Sequence, residues 1–421
     1  MKMENSKKLS QDGKKKRVLL AVTGGISAYK SAYLARLLTG KYHVRTIMTE
    51  AAEKFIGKVT FHAITGEPVL TDIFPSEGGS HMPHIEEASN VDIIVIAPST
   101  ADTIARIAGG RADNLLSAVV LASTCPVLLA PAMNPVMWQN PVTRRNIESI
   151  LCYPRFRCIG PVKGEVACGD VGEGRMVEPQ EIARWVDGIL AGGKTLAERR
   201  IVVTAGPTIE EIDPVRYISN VSTGKMGYTI AREAVIRGAK VTLISGPCNL
   251  EVPFGVEFIG VRSADEMHDA VMKTVEQSDV VFMSAAVADW KPRKRSKVKI
   301  SKSETGNSPV LELSPTVDIL SLCVKLKKGK LPLIFGFCLE TEPKKLIASA
   351  KEKLAKKGCD YIVANLASES VGKDKTSAVL ITAKGKSRKF VNLPKEEFAR
   401  ILLDIAAQGI ENLSQENKKS Y

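Results

Sequence analysis

The run KRVLLAVTGG (16–25) returns in altered form far downstream as RRIVVTAGPT (199–208): a basic start, an unbroken apolar strand, then a glycine-containing turn. After the first run come a helix-like SAYKSAYLARLLT (27–39) and the apolar segments YHVRTIM (42–48), DIIVIAP (92–98) and PVLLAPAM (126–133). After the second come AKVTLIS (239–245), DVVFMSAA (279–286), PLIFGF (332–337), DYIVAN (360–365) and SAVLIT (377–382). Continuous rather than alternating apolar runs are expected of strands covered on both faces, the condition of a parallel sheet. With helix-forming segments between them they predict an α/β chain of doubly wound sheets. Because the pattern starts twice, two such Rossmann-like domains are expected, which suits a prior of about 100–200 residues per domain. The expected organisation is a basic tail over 1–16, a first domain over 17–191, a linker over 192–199 around Gly192-Gly193, a second domain over 200–411 and a tail over 412–421.

The formal net charge of +13 invites a nucleic-acid reading. Its distribution argues otherwise. Basic residues gather in the N-terminal tail and in KPRKRSKVKISK (291–302), KLKKGK (325–330) and KKLIASAKEKLAKK (344–357). Three clusters in the second half suggest one anionic ligand there, such as a nucleoside triphosphate, although each lysine taken alone reads as solvated surface. Aromatic residues make up 5%, few for a single-strand stacking platform, so no nucleic-acid partner is expected. No apolar run approaches the roughly 18–20 residues that span a bilayer, and the basic, polar start of the sequence lacks the apolar segment of a secretory signal. A cytoplasmic protein with no membrane partner is the expectation. Eight cysteines are scattered without a CxxC pair, the pattern of neither a disulfide framework nor a zinc site. Reduced thiols leave Cys168 free for chemistry, among Gly169, Gly172 and Gly174 in VACGDVGEGRM (166–176).

In open α/β sheets ligands sit beyond the carboxyl ends of strands, where TGGISAYK (23–30), MPHIEEA (82–88), APSTADTIARIAGGRADNLLS (97–117) and PAMNPVMW (131–138) all fall. The TGGIS turn is a phosphate-binding candidate opening a helix, without the GxGxxG dinucleotide fingerprint. His84 suits proton transfer near neutral pH. Asn134 offers an uncharged amide to a carboxylate, while the residue alone also reads as a cap. Together with ACGD.G.GRM.EP, these segments in this order closely resemble the flavoprotein family of 4′-phosphopantothenoylcysteine decarboxylases over residues 17–185. The resemblance implies a flavodoxin-like domain with FMN on Gly25, Ser27, Thr49, Ser99 and Thr100. It also implies oxidation of the substrate's cysteine moiety at its thiol-bearing carbon, loss of carbon dioxide, then return of the same electrons. His84 would serve oxidation and decarboxylation, Asn134 would hold the substrate carboxylate, and Cys168, on a glycine-rich flap, would supply the final proton. Superfamily members lacking that cysteine serve as flavin-binding regulatory subunits, which is the alternative reading.

TAGPTIEEIDPVRYISNVSTGKMG (204–227) offers Arg216, Asn220, Ser222 and Lys225 to an anion. This segment resembles the phosphopantothenate–cysteine ligase domain, and the similarity runs from about 200 to 405. By that resemblance CTP is bound by Ala285, Ala286 and Asp289 of AAVADW, by Val317, Asp318, Ile319 and Leu320 of SPTVDIL, by Phe337, and by Lys353 and Lys357 at helical i, i+4 spacing. Lys299 would stabilise charge as the phosphopantothenate carboxylate attacks the α-phosphate. Arg216 and Asn220 would hold the acid substrate, with Asn220 acting when the cysteine amine displaces CMP. Asp289 is the candidate Mg2+ contact. Val317 stands where the family has proline, and the aspartate usual after AN is missing. Both activities on one chain predict a bifunctional enzyme of coenzyme A biosynthesis, with trimeric decarboxylase domains carrying FMN at the subunit interface and paired ligase domains, hence a dodecamer.

Overall fold

The computed structural model describes residues 15–74, 82–167, 169–301, 310–327, 329 and 331–419, with side chains as far as 415. The chain divides between Gly192 and Gly193 into two compact units.

In the first unit β1 (Arg17–Val22), β2 (His43–Met48), β3 (Val69–Leu70), β4 (Ile93–Ser99), β5 (Val127–Pro131) and β6 (Phe156–Cys158) form one sheet in the order β3-β2-β1-β4-β5-β6. Every pairing is parallel. Leaving out the two-residue β3, this is the 2-1-3-4-5 order of flavodoxin-like sheets. β4 is buried along its whole length, as its unbroken apolar run requires, because helices cover both faces. Helix Ala28–Thr39 packs with Lys58–Thr65 and Pro179–Ala191. Leu116, Val119, Ile147 and Ile150, from Leu115–Ala122 and Pro141–Leu151, join a core with Leu19, Ile94 and Leu129 of the sheet. Since β1 lies between β2 and β4, the crossovers leave it in opposite directions and open a crevice at the carboxyl edge. Beyond the sheet, β7 (Val162–Glu165) and β8 (Val171–Arg175) pair as an antiparallel hairpin.

The second unit repeats the plan with more strands. These are β9 (Arg200–Ala205), β10 (Ile209–Glu211), β11 (Tyr217–Ser219), β12 (Lys240–Ser245), β13 (Val256–Gly260), β14 (Val280–Met283), β15 (Trp290–Pro292), β16 (Leu313–Pro315), β17 (Leu333–Glu340), β18 (Tyr361–Leu366), β19 (Lys375–Thr382) and β20 (Ser387–Pro394). The main sheet runs β13-β12-β9-β14-β17-β18-β19-β20, parallel as far as β18 and antiparallel after it. Phe335 of β17 stacks on Phe282 of β14 at 4.6 Å and on Tyr361 of β18 at 4.4 Å, tying three neighbouring strands together. Helices Lys225–Ile236 and Lys395–Lys419 share one core with one face of this sheet, and Ala264–Val275, Ile319–Lys325 and Leu346–Lys357 share another core with the opposite face. No helix among the described residues is long and apolar enough to cross a membrane.

Candidate active sites

A cavity of about 1490 Å3 opens at the carboxyl edge of the first sheet. The TGGIS turn forms one wall. Thr23 donates its hydroxyl to the Pro98 carbonyl at 2.7 Å, fastening the turn after β1 to the end of β4. A Cβ on Gly25 would meet only the Thr100 methyl, at 3.8 Å, so this glycine leaves space rather than filling a contact. Ser27 precedes helix Ala28–Thr39 and its side chain makes no capping bond. The Ala28 and Lys30 N–H groups already donate to the Gly25 and Ser27 carbonyls at 2.9 and 3.0 Å, so the Tyr29 N–H and the Ser27 hydroxyl are the donors an anionic group would use at this helix start. Thr49 and Thr100, each capping a helix through its own hydroxyl, complete this side. This donor set fits the phosphate of FMN. Ser99 departs from the expectation: it is the last residue of β4, wholly buried, its Oγ has no hydrogen-bond partner, and it does not line the cavity.

Asn134 enters from the end of β5, where it caps helix Pro135–Gln139 by accepting the Val136 N–H at 2.8 Å. Its Nδ2 donates to the Asp170 carboxylate at 2.6 Å. The amide expected to grip a substrate carboxylate thus already holds one. The β7–β8 hairpin also differs from the loose flap the glycines suggest. Met133 donates its N–H to the Gly174 carbonyl at 3.0 Å, and a Cβ on Gly174 would come within 2.3 Å of the Met133 carbonyl oxygen. Here glycine is required for close approach to the Asn134 loop, not for looseness. Cys168 lies outside the described residues; of its described neighbours, Val166 donates its N–H to the Asp170 carbonyl at 2.9 Å. His84 sits half-buried on helix Pro83–Ser89 with Nδ1 unpartnered, away from the cavity lining. Missed by the sequence reading are Lys30 and Arg175, which line the cavity and both pair with Glu178, at 2.8 and 2.6 Å.

The second sheet carries its own cavity of about 750 Å3 at the equivalent edge. Ala285, Ala286 and Asp289 line it from the loop after β14, and Asn220 from the loop after β11, its Nδ2 donating to the Val287 carbonyl at 2.9 Å. Val317, Ile319, Leu320 and Phe337 add apolar wall. The segment holding Val317 keeps its form through its neighbours. Thr316 donates its hydroxyl to the Ala288 carbonyl at 2.6 Å, and Asp318 caps helix Ile319–Lys325 and pairs with Lys357. Burial pushes the Asp318 carboxyl up, but Lys357 and Ser321 outweigh it and hold the group below the usual carboxylate range. Lys353 donates to the Phe337 carbonyl at 2.8 Å, one helical turn from Lys357, so both ammonium groups face the cavity.

Arg216 and Lys299 lie outside this lining. They are held together elsewhere: Asp213, 1% exposed, accepts the N–H groups of Val215, Arg216 and Ile300 at 2.8, 2.8 and 3.3 Å, and Arg216 donates to the Ile300 carbonyl at 2.6 Å. Asp213, missed by the sequence reading, thereby anchors the peptide next to Lys299. Among the described residues no three His, Cys, Asp or Glu side chains converge as a metal site, so Asp289 stands as a single exposed carboxylate.

Residues 6–191 match the Flavoprotein family, and residues 196–410 match the DNA/pantothenate metabolism flavoprotein C-terminal domain. The Coenzyme A biosynthesis bifunctional protein CoaBC of Vibrio cholerae is 41% identical over 351 residues, 83% of this chain and 87% of the relative. A solved C-terminal domain of a CoaBC protein is 37% identical over 52% of this chain and 98% of its own, with a TM-score of 0.44. A PPC decarboxylase mutant complexed with pantothenoylaminoethenethiol is 35% identical over 42% of this chain and all of its own, with a TM-score of 0.39. Carrying both domains in this order, the chain belongs to the family of bifunctional coenzyme A biosynthesis proteins.

Proposed function

We propose that the second unit joins 4′-phosphopantothenate to L-cysteine at the expense of CTP, and that the first unit decarboxylates the product to 4′-phosphopantetheine. The observation that carries this reading is that each unit has a cavity of its own at the carboxyl edge of its own sheet. In the second, Lys353 and Lys357 receive the triphosphate, Phe337 lies beside the base, and Asp289 meets a Mg2+ that arrives with the nucleotide, as Mg2+ bound through few carboxylates does. The acid's carboxylate attacks the α-phosphate, pyrophosphate leaves, and the cysteine amine then displaces CMP, with Lys299 offsetting developing charge and Arg216 and Asn220 holding the acid.

In the first unit, the Gly25–Ser27 turn, Thr49 and Thr100 hold FMN, with Ser99 behind them. FMN held there would supply a reversible two-electron acceptor for the thiol-bearing carbon, so that the net change would be loss of carbon dioxide and gain of a proton. Asn134 orients the substrate carboxylate after Asp170 gives way, the β7–β8 hairpin excludes water, and Cys168 supplies the proton. FMN at an interface between copies in a trimer accounts for His84 lying off its own chain's cavity, and pairing of ligase units accounts likewise for Arg216 and Lys299. A dodecamer satisfies both symmetries, and the chain works in the cytoplasm.

The test supplies 4′-phosphopantothenate, cysteine, CTP and Mg2+ and looks for pyrophosphate, CMP, carbon dioxide and 4′-phosphopantetheine. AMP formed with ATP alone would overturn the nucleotide; a flavin-loaded protein releasing no carbon dioxide from 4′-phosphopantothenoylcysteine would leave only a regulatory role.

A further inference from the structure

Asn134 is held so that only one end of its amide can serve a ligand. Its oxygen is committed to the cap of helix Pro135–Gln139, where it accepts the Val136 N–H at 2.8 Å, so the amide cannot turn over without breaking that cap. The residues on either side are fixed as well. Met133 donates its N–H to the Gly174 carbonyl at 3.0 Å, and a Cβ on Gly172 would come within 2.8 Å of the Pro135 ring. Asn134 lines the cavity, and Nδ2 is the donor that it offers there.

The group that Nδ2 meets is a carboxylate. Asp170 accepts from it at 2.6 Å, short even for a hydrogen bond to a charged acceptor. Asp170 is exposed, lies outside the cavity lining and stands one residue before β8. Its backbone is tied down separately, because its carbonyl accepts the Val166 N–H at 2.9 Å. Rotation of the side chain alone therefore takes the carboxylate off Asn134, while the hairpin stays docked at Gly172 and Gly174. A carboxylate on a solvated turn regains water when it leaves, so this contact is readily exchanged for an equivalent one.

We infer that Asp170 is a resident stand-in for the substrate carboxylate. It occupies Asn134 until a ligand brings a carboxylate of its own, and it returns once that carboxylate has left as carbon dioxide. The inference rests on the decarboxylase reading above. Two carboxylates on one amide repel each other, so a ligand with a carboxylate must displace Asp170. Its apparent affinity is reduced by the fraction of molecules in which Asp170 is already off. The decarboxylated product displaces nothing and escapes this reduction. Asp170 thus sorts ligands by the one group that the reaction removes.

The test uses the full, flavin-loaded chain and two inhibitors of carbon dioxide release from 4′-phosphopantothenoylcysteine. One is 4′-phosphopantothenoylserine, which keeps the carboxylate but has no thiol. The other is 4′-phosphopantetheine, which keeps the thiol but has no carboxylate. In Asp170→Ala the inhibition constant of the serine compound is expected to fall about tenfold, the lower end of the worth of a charge-assisted hydrogen bond. That of 4′-phosphopantetheine should stay as in the wild type. Asp170→Asn, which keeps a neutral hydrogen bond, should show a smaller fall. Tightening confined to one class of ligand is a result that loss of a merely structural contact does not give. An unchanged or raised constant for the serine compound, or an equal change for both, overturns the stand-in. A wild-type protein that releases no carbon dioxide from 4′-phosphopantothenoylcysteine overturns the decarboxylase reading itself. If Asp170→Ala turns over too slowly for inhibition to be read, calorimetric titration of the flavin-loaded variant gives the same two constants. If it loses its thermal transition, the isosteric Asp170→Asn decides alone.

Discussion

Asn134 shows how one side chain can be both structural and chemical. Its oxygen caps a helix and its Nδ2 holds Asp170, so the two halves of the amide are separable by substitution. Asn134→Asp keeps the capping oxygen and turns the Asp170 contact into repulsion. The variant is expected to melt near the wild-type temperature and to bind flavin, yet to lose at least about tenfold to a hundredfold in carbon dioxide release, the effect of removing a charge-assisted hydrogen bond. Loss of folding would make Asn134 a cap and nothing more. The other thiols make a contrast with the chemistry asked of Cys168. Burial pushes Cys158 and Cys323 up to about 12 and Cys359 up to about 11, far from thiolate at neutral pH. Cys152 is exposed. Alkylation of the native protein at pH 8, read by peptide mass, should mark Cys152 and spare those three; marking of Cys323 would mean that the core around helix Ile319–Lys325 opens readily.

The glycines of the β7–β8 hairpin separate what sequence can and cannot say about an element. A glycine-rich string reads as loose, but Gly174 is glycine because the Asn134 loop lies against it, and that neighbour is remote in sequence. Gly174→Ala should cost about 1–3 kcal/mol by overpacking and impair decarboxylation. Gly169→Ala, at φ +86 with nothing within 4 Å, should cost about 1–2 kcal/mol by backbone strain alone. Thermal melts of the two, with carbon dioxide release alongside, distinguish contact from strain. The buried strands β1, β4, β9 and β14 are legible as unbroken apolar runs. The edge strands are not: β13 and β20 are largely exposed, so VEFIG and SRKFVNLP carry no such run. Asp213 was illegible for the same reason as Gly174, since its partner Ile300 lies far along the chain. Burial pushes its carboxyl up, but the Val215, Arg216 and Ile300 N–H groups and the Arg216 charge outweigh that and hold it below its ordinary 3.8. A lowered carboxyl contributes stability above the unfolded value, and that contribution is lost as pH falls through the folded one. Asp213→Asn should therefore flatten the acid limb of unfolding. It should also lower kcat of the ligase step more than it raises KM for CTP, because it frees the peptide beside Lys299.

At the scale of the molecule the sequence's doubled pattern has a simple physical basis: each strand–turn start seeds its own sheet, and each sheet opens its own crevice where the crossovers diverge. Motif order located both crevices. It could not locate His84, Lys299 or Arg216 relative to them, because side-chain reach depends on packing. Two units with separate cores imply that disabling one site leaves the other working. The full-chain Asn134→Asp variant given 4′-phosphopantothenate, cysteine and CTP should release pyrophosphate and accumulate 4′-phosphopantothenoylcysteine. A full-chain Lys353→Ala, Lys357→Ala variant should do the reverse, making no pyrophosphate yet decarboxylating supplied 4′-phosphopantothenoylcysteine. Mixed, the two should form 4′-phosphopantetheine after a lag that shortens as the second variant's concentration rises, because the intermediate must cross solution. The wild type at equal concentration shares that lag if the intermediate is released, and lacks it if the product of one unit is handed to the other. Failure of the mixture to form any product, with each variant active alone in its own half-reaction, would mean that the two sites cannot work apart.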